Sequence, residues 1–423
     1  MIDLLKNAFL LFLNSSLATF CSLVFFKFIG SDQPDNYYLM SLYFPFTVIT
    51  IAIIESLKIP FYVNARAWAD SKNLTGNIFS AIIFGLAILL VFGTVFFFGR
   101  HQIFSSLSIP VNYQTRFLGY VTWMLVSSAC ALVLNVFTAV IFVHKGPLPS
   151  FLFNLAAMTT ANVIALALYF KTKDLNSIGV GIAATMAVAS PLTFIYLGRK
   201  KFVEFRYGFY WLRYFSGYVR DYVKFSLPYA LTFLLYGIYA YTLNTIVADY
   251  GLQLTAVFGI FSRVQNALII PAVAIGTYTA VKLMSLENRK NSDEVFFVRL
   301  GLKASFMVYA GLALVALTFR SEIASVFTND ATLIALFRSK FPWILAITFL
   351  LGPIIFIISF LEQSGRALNT LVINFIFLSV ELAILLYVNA RFVDINYVFA
   401  SIVAIKAVAV LYLFSRPRFR EAL

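Results

Sequence analysis

Residues 223–287 read VKFSLPYALTFLLYGIYAYTLNTIVADYGLQLTAVFGIFSRVQNALIIPAVAIGTYTAVKLMSLE. Two apolar runs, near 225–248 and 253–281, flank the short turn Asp249-Tyr250-Gly251. Each has the roughly 20 residues that an α-helix needs to cross a hydrocarbon layer about 30 Å thick. The first run carries no charge between Lys224 and Asp249, and the second carries only Arg263. Both read as membrane-spanning helices.

The rest of the chain repeats the pattern. Of 423 residues, 61% are hydrophobic and 12% charged. That is too little charge to coat a water-facing surface of this size. In hydrocarbon every backbone polar group must be satisfied internally, which leaves spanning helices or a closed barrel. A barrel would show segments of about ten residues alternating in polarity; the runs here are longer and continuous. Twelve spans are expected, near 7–29, 37–57, 77–99, 117–143, 149–170, 177–197, 225–248, 253–281, 297–319, 341–361, 367–389 and 394–414. The fold class is all-α and polytopic, and the longest loop outside the central linker falls near 320–340. The N-terminus shows no cleavable leader, so the first run reads as a retained span.

The net charge of +14 does not indicate nucleic-acid binding, because the basic residues sit in short loops between apolar runs. Loops on the side of the termini hold roughly twenty of the Lys and Arg residues and the opposite loops about nine, which places both termini in the cytoplasm of an inner membrane. Cys21 and Cys130 lie inside apolar runs, and His101 and His144 stand alone, so neither a disulfide framework nor a metal site is expected. An enzyme acting on lipid would need clustered acids, histidines or a metal constellation near one interface, and the chain has none.

Residues 199–224 mix Arg206, Arg213 and Arg220 with Tyr207, Phe209, Tyr210, Trp211, Tyr214 and Phe215. Basic and aromatic side chains together suit a headgroup region, so this stretch reads as an interfacial linker helix. It separates an N-terminal bundle, 1–198, from a C-terminal bundle, 225–423. The two halves resemble each other. Trp123 and Asn154 recur as Trp343 and Asn374 at one displacement of 220, and FVHKGPLPSFLFN matches FLEQSGRALNTLVIN in character. Six spans per half give both halves one orientation, hence a pseudo-two-fold along the membrane normal.

The order of Pro228, Gly251, Ala256, Gly259, Arg263, Pro271 and Gly276 resembles the seventh and eighth spans of the multidrug and toxic compound extrusion (MATE) transporters. NVIALALYF at 162–170 with the following IGVGIAAT is similar to that family's fifth-to-sixth junction, and FLEQSGRALNTLVIN at 360–374 to its tenth-to-eleventh. With the span count, the resemblance covers nearly the whole chain. It implies two six-helix bundles around a cleft, and export of an organic solute (drug, metabolite or siderophore-like molecule) driven by a proton or sodium gradient. It implies no cofactor, a small-molecule substrate, contact with membrane lipids and a monomer. Flippases for lipid-linked oligosaccharides in the same superfamily are the alternative. The acids that commonly couple such transporters to ions are missing, since Ser22, Tyr236 and Gly352 stand at the corresponding positions.

The ionisable groups inside spans are therefore the first candidates, because charge at mid-membrane is costly. Glu381, in SVELAILLYV, is the leading ion-coupling candidate. It would serve as a proton carrier or cation ligand, or as a protonated acid bonded to a neighbouring carbonyl. Asn162 and Glu55 are further coupling candidates. Glu55 is three residues from Lys58, at ion-pair spacing on one helix face. Arg263 is expected to pair with an acid or carbonyl inside its bundle. Lys406, late in the last span, has the reach to snorkel to the interface. Asn14, Tyr236, Tyr239, Asn244, Arg263, Gln265 and Asn266 are the candidate cavity-lining residues, although such polar groups commonly join helices.

Overall fold

A helix of 36 residues, Ser71–Ser106, shows how this sequence builds its elements. Asp70 sits at its N-cap in an extended conformation and accepts a bond from the backbone N–H of Asn73. Such caps satisfy donors that have no partner within the helix. The rise of 1.5 Å per residue makes it about 54 Å long, more than the hydrocarbon core requires. Its exposed residues include Leu90 (72%) and Phe98 (81%). Side chains of that size left uncovered in a run mark a surface whose solvent is lipid.

The computed structural model describes residues 27–29, 34–64, 68, 70–204, 210–284, 291–392 and 394–415. Within them the helices are α1 (Pro34–Leu42), α2 (Phe44–Ser56), α3 (Ile59–Val63), α4 (Ser71–Ser106), α5 (Val111–Lys145), α6 (Pro147–Thr172), α7 (Asn176–Arg199) and α8 (Trp211–Asp221). They continue as α9 (Leu227–Ala248), α10 (Leu252–Met284), α11 (Asn291–Thr318), α12 (Arg320–Phe327), α13 (Ala331–Leu361), α14 (Ala367–Arg391) and α15 (Ile395–Ser415). Among the described residues there is no strand. Among the described residues, eleven helical stretches are long and apolar enough to cross a membrane, from Phe44–Val63 to Ile395–Tyr412. The chain is a multi-pass membrane protein. The expected first span, 7–29, lies almost wholly outside the described residues, and with it Asn14, Cys21 and Ser22.

Two boundaries differ from expectation. The run 37–57 is not one straight span: α1 ends at Leu42, Tyr43 forms a turn, and the span-length stretch is Phe44–Val63. Pro45 explains the break, because its ring disfavours helical backbone at the preceding residue and it lacks an N–H. The expected loop at 320–340 is instead filled by α12 and the first turns of α13. The Asp330 side chain caps α13 by accepting from Thr332 N at 2.8 Å. The charges of Arg338 and Lys340 hid this extension from a search for apolar runs. Residues 211–221, within the expected interfacial linker helix, are helical. They form α8, which passes through a π-helical turn at Tyr222–Ser226 directly into α9.

Two turns rest on glycine. Gly146 joins α5 to α6 at φ +88° and ψ −179°, a region open in practice to glycine alone. Gly251 adopts φ +102° between α9 and α10.

By packing, the chain forms two compact units, one of Met1–Phe44 with Ile238–Leu423 and one of Pro45–Gly237. The second has its core in Ile53, Leu57, Phe61, Ile78, Leu132, Val136 and Phe137. Helix α8 closes it at one end: Tyr218 Oη donates to the Leu57 carbonyl (3.0 Å), and Tyr222 Oη lies 3.0 Å from Ser56 Oγ. Arg213 and Arg220 stay on its exposed face. The first unit has one core around Ala272, Ile275, Leu302 and Phe356. Its other core takes Leu243, Ile246 and Val247 from α9, Leu385 and Val388 from α14, and Val398, Phe399 and Ile402 from α15.

Candidate functional site

The α9–α14–α15 core continues directly into a polar cluster. Tyr239 precedes core residue Leu243 by four, Glu381 precedes Leu385 by four, and Lys406 follows Ile402 by four. Residues four apart share a helix face, so the spacing that buries the apolar residues also turns three polar ones towards a common point. There, Lys406 Nζ lies 2.5 Å from Glu381 Oε2, and Tyr239 Oη donates to Glu381 Oε1 at 2.9 Å. The Lys406 ammonium also sits 5.6 Å from the centre of the Tyr239 ring, within cation–π range. Glu381 is fully buried. It lies ten residues from the nearer end of α14, about 15 Å along the axis.

Both carboxylate oxygens thus accept bonds, one from a phenol and one from an ammonium. A neutral carboxylic acid would have to donate through one of them. The arrangement is that of an ionised pair, and Lys406 does not snorkel to an interface. Two buried charges lose their hydration, and only close geometry with further hydrogen bonds offsets that loss. Tyr239 supplies such a bond.

A second cluster joins α1 to α9 and α10. Pro45 has no N–H to offer the carbonyl of Ser41, four residues earlier, which leaves that acceptor free for another donor. Asn244 Nδ2 takes the place of the missing donor at 3.3 Å. Arg263, buried, donates from Nη2 to the Met40 carbonyl (2.9 Å) and from Nη1 to the Gly259 carbonyl (3.0 Å). Carbonyls, one of the two kinds of partner expected for Arg263, are thus present. Gly259 permits the approach, since a Cβ there would fall 1.7 Å from Ser41 Oγ.

The remaining candidates lie elsewhere. Glu55 is bonded to Lys58 (2.6 Å) at the end of α2. Asn162 Nδ2 donates to the Met158 carbonyl one turn back on α6 (2.7 Å). The Tyr236 ring packs edge-on to Phe233. Gln265 is partly buried on α10, and the Asn266 side chain lies outside the described residues. The structure therefore brings Glu381 together with Tyr239, and Arg263 with Asn244, in one unit, while Glu55, Asn162 and Tyr236 fall in the other. Sequence reasoning missed Lys406 as the partner of Glu381. A lysine at the i+4 position from a core residue of the adjacent span was the available signal.

Membrane-spanning helices in this order and arrangement form the fold seen in MATE transporters. Residues 228–388 match the MatE family model. Across 96% of this chain and 94% of the other, the fold matches an inward-facing multidrug resistance MATE family transporter of the MOP superfamily, with a TM-score of 0.80 and 17% identity. A mutant MATE transporter from Vibrio cholerae matches with a TM-score of 0.75 and 15% identity, over 99% of this chain and 96% of that one. A MOP superfamily transporter from Pyrococcus furiosus, described as having a binding pocket of reverse polarity that suggests a different function, matches with 0.75 and 16%, over 99% and 95%. No curated protein matches the chain. The chain carries a MatE domain on the fold of the MATE transporters.

Proposed function

We propose that this protein is a secondary-active exporter of an organic solute, working by alternating access and driven by a proton or sodium gradient. The observation that carries the reading is the match of nearly the whole chain to a multidrug resistance MATE transporter, with almost all of that transporter's length covered.

The distribution of Lys and Arg between alternate loops supports an inner-membrane orientation with both termini in the cytoplasm. The expected substrate is a small organic molecule, and the expected working unit a monomer.

Uptake of candidate solutes into everted membrane vesicles tests the reading, with sodium and proton gradients imposed separately. Solute accumulation that follows one of the two gradients supports it. Accumulation of a lipid-linked saccharide on deletion, without gradient-driven solute uptake, would support a flippase in its place.

A further inference from the structure

We propose that Lys406 is the resident cation of the Glu381 carboxylate, so that this buried site excludes sodium and other free monovalent cations as long as the lysine is in place. The reasoning starts from what an ionised carboxylate inside a membrane protein requires. It must be paired with a cation or neutralised by a proton. Here Oε1 is occupied by the Tyr239 hydroxyl and Oε2 by an ammonium on a tether. The same ammonium lies against the Tyr239 ring. The carboxylate edge and the ring face together make a small cation cage, and the chain fills it with its own side chain.

The tether changes what the site can do. A free ion binds and leaves, and so can transmit a gradient. An ammonium on α15 cannot leave, and the pair has no net charge on which a membrane potential could act. Protonating Glu381 would strand the lysine charge in a site where its side chain is 12% exposed, and deprotonating Lys406 would strand the carboxylate. The ion that drives transport is therefore bound at a different place, and Glu381 with Lys406 fixes α9, α14 and α15 to one another. This inference concerns ion binding and stands whether or not the transport reading holds.

Sodium titration of the purified protein in detergent, read by the thermal unfolding midpoint with choline chloride as the ionic-strength control, tests it. The wild type is expected to show no sodium response that depends on Glu381. In Lys406→Met the cage loses its resident cation, and sodium is expected to raise the midpoint. In Glu381→Gln/Lys406→Met that response is expected to vanish. Ethylammonium should stabilise Lys406→Ala in the same way, standing in for the lost side chain. Sodium stabilisation of the wild type that Glu381→Gln abolishes would overturn the proposal. So would a folded Lys406→Met that responds to no cation. If Lys406→Met cannot be purified, the comparison of wild type with Glu381→Gln decides the point, since the proposal requires sodium to act equally on both or on neither.

Discussion

Arg263 on α10 reaches the backbone carbonyl of Met40, 223 residues earlier in the chain, at 2.9 Å. The bond forms where Pro45 has interrupted the helical ladder between α1 and α2. A proline that breaks a helix leaves carbonyls without donors, and a buried carbonyl without a donor is costly. Arg263 and Asn244 supply the donors from α10 and α9. Two carbonyl dipoles, of Gly259 and Met40, thus face the charge of the arginine.

Arg263→Gln retains a polar side chain but loses the fork that spans Gly259 and Met40. A hydrogen bond from a charged donor contributes about 1.5–3 kcal/mol, so the substitution should lower the unfolding free energy in detergent by an amount of that order, and the midpoint with it. Arg263→Lys should recover only part of it, because one ammonium does not reproduce the planar fork. Equal midpoints for all three proteins would remove Arg263 from the scaffold.

Gly259 faces Ser41 with no room for a methyl group. The added Cβ would meet Ser41 Oγ at 1.7 Å and Ser41 Cβ at 2.4 Å, and the hydroxyl is already bonded to the Tyr37 carbonyl. Gly259→Ala should therefore destabilise the protein by about 1–3 kcal/mol, and Ser41→Gly in the same chain should restore part of the loss. Gly217 on α8 meets nothing within 4 Å. Gly217→Ala should be neutral or should stabilise by about 0.5–1 kcal/mol. Denaturation of the four proteins under one condition makes the comparison.

Glu362 opens the π-helical turn at Glu362–Arg366, beside the forked Arg366–Glu294 pair (2.6 and 2.8 Å). Its Oε1 has neither solvent nor a hydrogen-bond partner, and burial pushes the carboxyl up to about 8 from an ordinary value of 4.5. Between those two values the folded chain holds a proton that the unfolded chain has released. Stability should accordingly fall as pH rises across that window, and level off above it. Glu362→Gln should flatten the profile over the same range. A wild-type profile with the same slope as the variant would show that Glu362 is ionised in the folded protein.

Most of the helices were legible from apolar run length alone, because the membrane demands long uncharged segments and this chain supplies them. Glu381 was legible for the same reason, as an acid where acids are costly. Its state was not. The choice between a proton, a free cation and a partner depends on which face of α15 meets α14, and that is set by packing around Leu385, Val398 and Ile402, which apolar run length does not report. The kink at Tyr43 was written in Pro45, but a hydropathy window averages over a single proline. The start of α13 was obscured in the opposite way, since Arg338 and Lys340 made a helical segment look like a loop. Arg263 was expected to find an acid or a carbonyl, and only the fold could say that the freed end of α1 would be there.

The proposed function is gradient-driven export by a MATE-like fold. The most direct measurement reconstitutes the purified protein into proteoliposomes and follows movement of an organic solute under a sodium gradient, a proton gradient and neither. The account predicts transport that depends on one gradient and is lost when that gradient is collapsed. Solute movement indifferent to both gradients would contradict it.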